Sequence, residues 1–154
     1  MWRLTGTGMF CIAATIAVLT VPRAEGKKTS EPPPGPIPIQ VVTGKKAFIS
    51  YLESDADPGA VNLTYNEFYA LMKSWGKFEL VPAPADADLV FEIRYVSGLS
   101  DSQIRLSIVD PKTHCVLWPF IQHVQSSSRE TARRKNFDQA MSDLVEEVKR
   151  VTTP

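Results

Sequence analysis

The stretch ADLVFEIRYVSGLSDSQIRLSIVD, residues 87–110, decides the fold of this chain. Its two halves place apolar side chains at every second position, namely Leu89, Phe91, Ile93, Tyr95, Ile104, Leu106 and Ile108. A period of two is typical of β-strands that cover a core with one face and leave the other face wetter. Because the two strands are close in sequence, they predict an antiparallel pair.

Two amphipathic helices lie on either side of this pair in the sequence. Their apolar residues recur in steps of four and three, at Val61, Tyr65, Phe68, Met72 and Trp75, and at Phe137, Met141, Leu144, Val148 and Val151. Such steps place the side chains on one helical face. Pro58 suits the first turn of the earlier helix, and Gly76 suits its C-terminal stop.

Three further runs predict strands, at residues 45–52, 78–81 and 114–124, and give the order β-α-β-β-β-β-α. The first β-α-β unit predicts parallel strands, and the last three strands predict an antiparallel meander. We therefore expect an α/β domain of the α+β type, a two-layer fold with a mixed five-stranded sheet and two helices on one face. Pro119 interrupts the last strand, which predicts a sheet edge or a bulge there.

The N-terminal part of the chain differs in composition from the rest. Residues 1–26 are typical of a secretory signal peptide, because Arg3 precedes a charge-free run from Met9 to Val21 that is too short to span a bilayer. Residues 27–44 are rich in proline and predict a disordered tether. A single α/β domain is expected over residues 45–154. We thus expect a periplasmic or secreted protein without a stable membrane span once the signal is removed.

The overall composition excludes several functions. The chain has 154 residues, and its 17 Lys and Arg balance its 17 Asp and Glu. A neutral chain does not carry the basic surface that nucleic-acid binding requires. The sequence contains no glycine-rich phosphate loop and no histidine spacing typical of a metal site, so we expect neither a cofactor nor a metal.

A family resemblance follows from the pattern of short motifs. Trp75-Gly76 ends a helix, Ala87-Asp88 opens a strand, and Asp110 stands at a turn before Leu117-Trp118. Over residues 45–151 this pattern resembles a small periplasmic α/β domain of envelope accessory proteins. These include the lipoprotein activators of penicillin-binding proteins, the N-terminal domain of the TolB translocation protein and the curli-secretion lipoprotein. The chain is also similar to uncharacterised exported bacterial proteins. The resemblance implies a protein that binds other proteins and is not an enzyme.

Candidate catalytic residues are few. Cys115 is next to His114, but adjacent strand residues point to opposite faces, and His123 lies eight residues further on, about 26 Å along a strand. We expect Cys115 to be buried on a face with Leu117 and Ile121 and to be inert. The alternative to a binding domain is a small secreted hydrolase with carboxylate chemistry, for which Asp86, Asp88 and Glu92 are the candidate acid and base.

One charge cluster stands apart from the neutral composition. Arg129, Arg133, Arg134 and Lys135, here called the helix-start cations, fall within seven residues just ahead of the predicted terminal helix. Four cations near a helix N-terminus oppose the helix dipole unless an anion is close by. They are the candidate site for an envelope protein or an anionic polymer, and a solvated linker is the alternative interpretation.

Overall fold

The computed structural model describes residues 35–52, 58–98 and 101–153, and the side chains of residues 58–61 are not described. The helices are α1 (Ile39–Thr43), α2 (Pro58–Trp75) and α3 (Glu130–Thr152), with a single 3-10 turn at Pro84–Asp86. The strands are β1 (Lys46–Tyr51), β2 (Glu79–Leu80), β3 (Leu89–Val96), β4 (Ser102–Val109) and β5 (Val116–Val124). The described residues from Gly35 onward form one unit.

The five strands form one mixed sheet in the order β2-β1-β3-β4-β5. β1 runs parallel to both β2 and β3, whereas β3, β4 and β5 form an antiparallel meander. The helix α2 connects β1 to β2, as expected for strands that run in the same direction. The α+β class, the mixed five-stranded sheet and the predicted order of these strands and long helices along the chain are therefore confirmed.

Both long helices cover the same face of the sheet. The Phe68 ring of α2 lies 6.1 Å from the Phe91 ring, and the Phe137 ring of α3 lies 6.1 Å from the Tyr95 ring. Phe91 and Tyr95 are four residues apart on β3 and so share a face. The buried core cluster lies on this face, with Leu106 from the neighbouring strand among its members. The two-layer architecture follows from these contacts.

The ends of α2 follow the sequence signals. The helix begins at Pro58, whose missing N–H costs nothing in a first turn. It ends before Gly76, whose φ of 72° lies in the left-handed region that a residue without Cβ adopts readily. The sequence also predicts that Asp57, a residue type favoured at the N-cap, caps this helix, but Asp57 lies outside the described residues.

Pro119 lies on an edge strand. β5 is the last strand of the sheet and pairs only with β4 among the described strands. Val109 pairs with Val116 while Ile108 pairs with Trp118, so Leu117 is an extra residue that has no partner across the ladder. The prediction of an edge strand is therefore confirmed, whereas the bulge lies at Leu117 and not at Pro119, which is in register with Ser107.

The folded part of the chain begins earlier than predicted. The segment assigned to the tether, residues 27–44, includes α1, and Val41 in this helix is fully buried in the core cluster. The proline content of the segment concealed Val41, the one residue of α1 that is buried in the core. The predicted signal at residues 1–26 and the tether up to residue 34 lie outside the described residues. Within the described ranges, no helix is long and apolar enough to cross a membrane.

Candidate functional site

Three of the four helix-start cations lie within α3 rather than ahead of it. Arg129 is the N-cap residue, and Arg133, Arg134 and Lys135 follow in the first two turns. Arg and Lys are good helix formers, and Glu130 in the first turn offsets part of their unfavourable interaction with the helix dipole. The helix therefore includes most of the segment that was predicted to lie just ahead of it.

Arg134 differs from the other three cations because it is engaged by carboxylates. Its Nη2 contacts Glu67 of α2, and its Nε lies 2.8 Å from Asp138 one turn further along α3. The side chain thus connects the two long helices. Because these ion pairs are exposed to solvent, each contributes at most about 1 kcal/mol to stability.

The remaining helix-start cations do not form one surface. Arg129 and Arg133 are exposed and one helical turn apart, so they share a side of α3. Lys135 is exposed but lies about 200° around the helix axis from Arg133. None of the three has an ion-paired carboxylate among the described residues, and the N-cap residue makes no side-chain cap hydrogen bond. Arg129 and Arg133 are therefore the pair that the fold brings together.

Asp88, a candidate acid or base, instead has a structural contact. Its Oδ2 accepts hydrogen bonds from the backbone N–H groups of Lys45 and Lys46, each at 2.9 Å. These two donors hold the pKa of Asp88 below its ordinary value. The carboxylate of Asp88 therefore holds the first residues of β1 next to the start of β3.

Replacing Asp88 by alanine should lower the free energy of unfolding by about 1 kcal/mol at neutral pH, because it removes an acceptor shared by two backbone donors. The depressed pKa means that this stabilisation is complete above the pKa of the unfolded state and is lost as the pH falls through the folded pKa. Urea unfolding at neutral and acidic pH should show the difference from wild type shrinking towards acid. The matched control is Asp86→Ala, an exposed carboxylate in the same loop. A pH-independent difference at Asp88 would contradict this role.

The carboxylates proposed for hydrolysis do not converge. Asp88 and Glu92 are four residues apart along extended chain, about 13 Å. Paired carboxylates of glycoside hydrolases lie roughly 5 to 9.5 Å apart. Asp86 is exposed in the 3-10 turn. Within the described residues, no three His, Cys, Asp or Glu side chains are grouped so that they could hold a metal ion.

The prediction that Cys115 is buried is wrong. Cys115 is an exposed free thiol just before β5, and its Sγ lies 3.8 Å from the carbonyl oxygen of Thr113. The extra residue Leu117 changes the side-chain alternation, so Trp118 and Phe120 face the core while Ile121 is 51% exposed. Sequence alternation alone had assigned the opposite face.

A hydrogen-bonded chain on the other face of the sheet was not predicted. His123 Nδ1 lies 2.9 Å from Asp101, whose other oxygen accepts from the Gln103 side chain at 3.0 Å. Gln103 in turn accepts from the Arg105 Nε at 3.0 Å. The His123 contact is the first cause of a lowered Asp101 pKa. Across the ladder, Arg105 is directly opposite Arg94.

Solved structures of other proteins have a fold similar to that of this chain. No family model and no curated protein matches the chain. Among solved structures, the PelC dodecamer from Paraburkholderia phytofirmans is 16% identical, with a TM-score of 0.51 over 78% of this chain and 94% of that chain. E. coli LpoB is 9% identical, with a TM-score of 0.43 over 82% of this chain and 91% of that chain. Lipoprotein GNA1162 from Neisseria meningitidis is 14% identical, with a TM-score of 0.46 over 66% of this chain and 96% of that chain. Solved structures of envelope lipoproteins are thus among the structural neighbours of this chain, in agreement with the predicted resemblance, and the likeness to PelC shows a shared fold.

Proposed function

We propose that this domain is a non-catalytic binding module of the cell envelope that recognises an envelope protein or an anionic polymer. The observation that carries the proposal is the exposed pair Arg129 and Arg133 at the start of α3, which has no ion-paired carboxylate among the described residues. The hydrolase alternative has less support, because Asp88 is occupied by backbone donors and is far from Glu92.

The chemistry of this helix start favours an anion. The first backbone N–H groups of a helix have no partner within the helix, and the helix dipole is positive there. Arg129 and Arg133 add charge of the same sign at this end. A carboxylate or phosphate docked beside them would meet the side-chain charge and the backbone donors together.

The proposed location is the periplasm or the exterior of the cell. It rests on the signal-like residues 1–26, and the fold shared with envelope lipoproteins agrees with it. Protein recovered from an exporting host should therefore lack about 26 residues by mass measurement. A full-length product in the cytoplasm would contradict export.

The binding role can be tested on an immobilised polyanion. The Arg129→Gln/Arg133→Gln variant should elute from poly-L-glutamate at lower salt than wild type, since exposed charges are screened over about 8 Å at physiological ionic strength. The control is Lys73→Gln/Arg150→Gln, which removes two exposed cations elsewhere and changes the net charge equally. Equal elution of the two double variants would show that a position at the start of α3 has no special role and would refute the proposed site.

A further inference from the structure

The face of the sheet that the helices leave uncovered carries an unusual pair of charges. Arg94 on β3 and Arg105 on β4 are directly opposite each other in the antiparallel ladder. Their Cβ atoms are therefore about 4.5 to 5.5 Å apart, and like charges so placed disfavour the pairing. Both side chains are half-buried, so water screens them less than it screens a fully exposed pair.

Arg105 is held in place while part of its guanidinium stays available. Its Nε donates to Gln103, which is bonded through Asp101 to His123. The two terminal nitrogens of Arg105 have no hydrogen bond or ion pair to any described residue, and the same holds for the whole Arg94 side chain. An oriented guanidinium with free terminal donors is suited to a carboxylate.

Glu92, an acidic residue on β3, does not neutralise the pair. Glu92 is on the same face as Arg94, but the residue opposite it is Ser107 rather than an arginine. Glu92 forms no ion pair with either arginine within the described part of the chain. Asp101 on the same face contacts His123 and Gln103 instead, so neither arginine has an ion-paired carboxylate among the described residues.

Apolar side chains surround these charges. A shallow cavity of about 280 Å³ is lined by both arginines and by Leu52, Pro119 and Ile121. Leu52 is 36% exposed and Ile121 is 51% exposed. Arginine beside exposed apolar side chains is typical of protein interfaces, whereas a simple polyanion would gain nothing from Leu52 and Ile121 and would be repelled by Glu92.

We propose that this face binds an extended segment of a partner protein in which one carboxylate is flanked by apolar side chains. The carboxylate accepts hydrogen bonds from Arg94 and Arg105, and its apolar neighbours contact Leu52 and Ile121. The site goes beyond the proposed role of Arg129 and Arg133, which lie on α3 on the other side of the sheet. Either site can therefore fail without the other.

The test uses the isotope-labelled protein and a short, terminally blocked peptide in which one glutamate stands between valines. Amide shifts should centre on β3, β4 and β5, and a glutamine peptide should bind about tenfold more weakly. Arg94→Gln and Arg105→Gln should each weaken the glutamate peptide about tenfold, and Ile121→Thr should weaken both peptides. Arg150→Gln is the matched control and should bind as wild type does. Each arginine variant should unfold at the same or a higher temperature than wild type, because it removes the repulsion between the pair.

Three results would overturn the proposal. The first is equal binding of the glutamate and glutamine peptides, or no shift of any amide at millimolar peptide. The second is binding that Arg94→Gln and Arg105→Gln leave unchanged, or shifts that centre on α3. The third is that polyphosphate binds the same residues more tightly than the peptide while Ile121→Thr has no effect, which would identify an anionic polymer as the occupant.

Discussion

Replacing Phe68 by alanine should lower the free energy of unfolding by about 3 to 5 kcal/mol. Phe68 is fully buried, and its ring contacts Phe91, which in turn lies 5.4 Å from the Phe78 ring. The substitution removes apolar area and leaves a cavity at the centre of the contact between α2 and the sheet. Urea unfolding followed by tryptophan fluorescence measures the change.

The control for this substitution is Ile39→Ala. Ile39 is a large apolar residue, but it is 68% exposed, so its truncation should change the free energy of unfolding by less than about 0.5 kcal/mol. A similarly small effect at Phe68 would mean that α2 presents a different face to the sheet.

Replacing Leu144 by alanine should cost about 2 to 5 kcal/mol through the other helix. Leu144 is fully buried, and the buried residues Ala140 and Val148 lie one turn before and after it on α3. Its loss leaves a cavity in the buried face of α3. The same urea experiment measures it.

Ser142→Ala is the matched control on the same helix. Ser142 is exposed, and alanine favours the helix slightly more than serine, so stability should stay the same or rise by a few tenths of a kcal/mol. If Leu144→Ala behaved like Ser142→Ala, the apolar stripe of α3 would have been assigned to the wrong face.

The periodic parts of the sequence predicted most of the fold. The four-and-three steps placed Phe68, Met72 and Leu144 in the core, and the alternation along β3 and β4 placed Phe91 and Leu106 there. These patterns succeed because burial of a whole face fixes both the secondary structure and its orientation. The edge position of Pro119 was predictable for a similar reason, since a residue without an N–H does not suit a central ladder.

The features that sequence did not predict depend on register or on local exceptions. The extra residue Leu117 reversed the assignment of β5, and Cys115 lies before the strand begins rather than within it. A single bulge cannot be recognised from the alternation of apolar and polar residues in a strand of nine residues. The position of Val41 was missed because composition was averaged over a segment dominated by proline.

The candidate site was predictable only in part. The helix-start cations could be identified from the sequence alone. The contact of Arg134 with Glu67 could not, because it depends on how two helices pack against each other. The pairing of Arg94 with Arg105 could not be predicted in the same way, because it requires the register of the hairpin.

The burial of Val41 in α1 has a mechanical consequence. This side chain enters the core directly before β1, which lies between two other strands of the sheet, and Gly44 closes the turn with an N–H donated to the Gln40 carbonyl at 2.9 Å. Any force applied through the residues that precede the domain reaches α1 first. Removing one valine side chain from the core requires less force than separating β1 from the strands on either side of it. We therefore expect α1 to detach under a force that leaves the sheet intact.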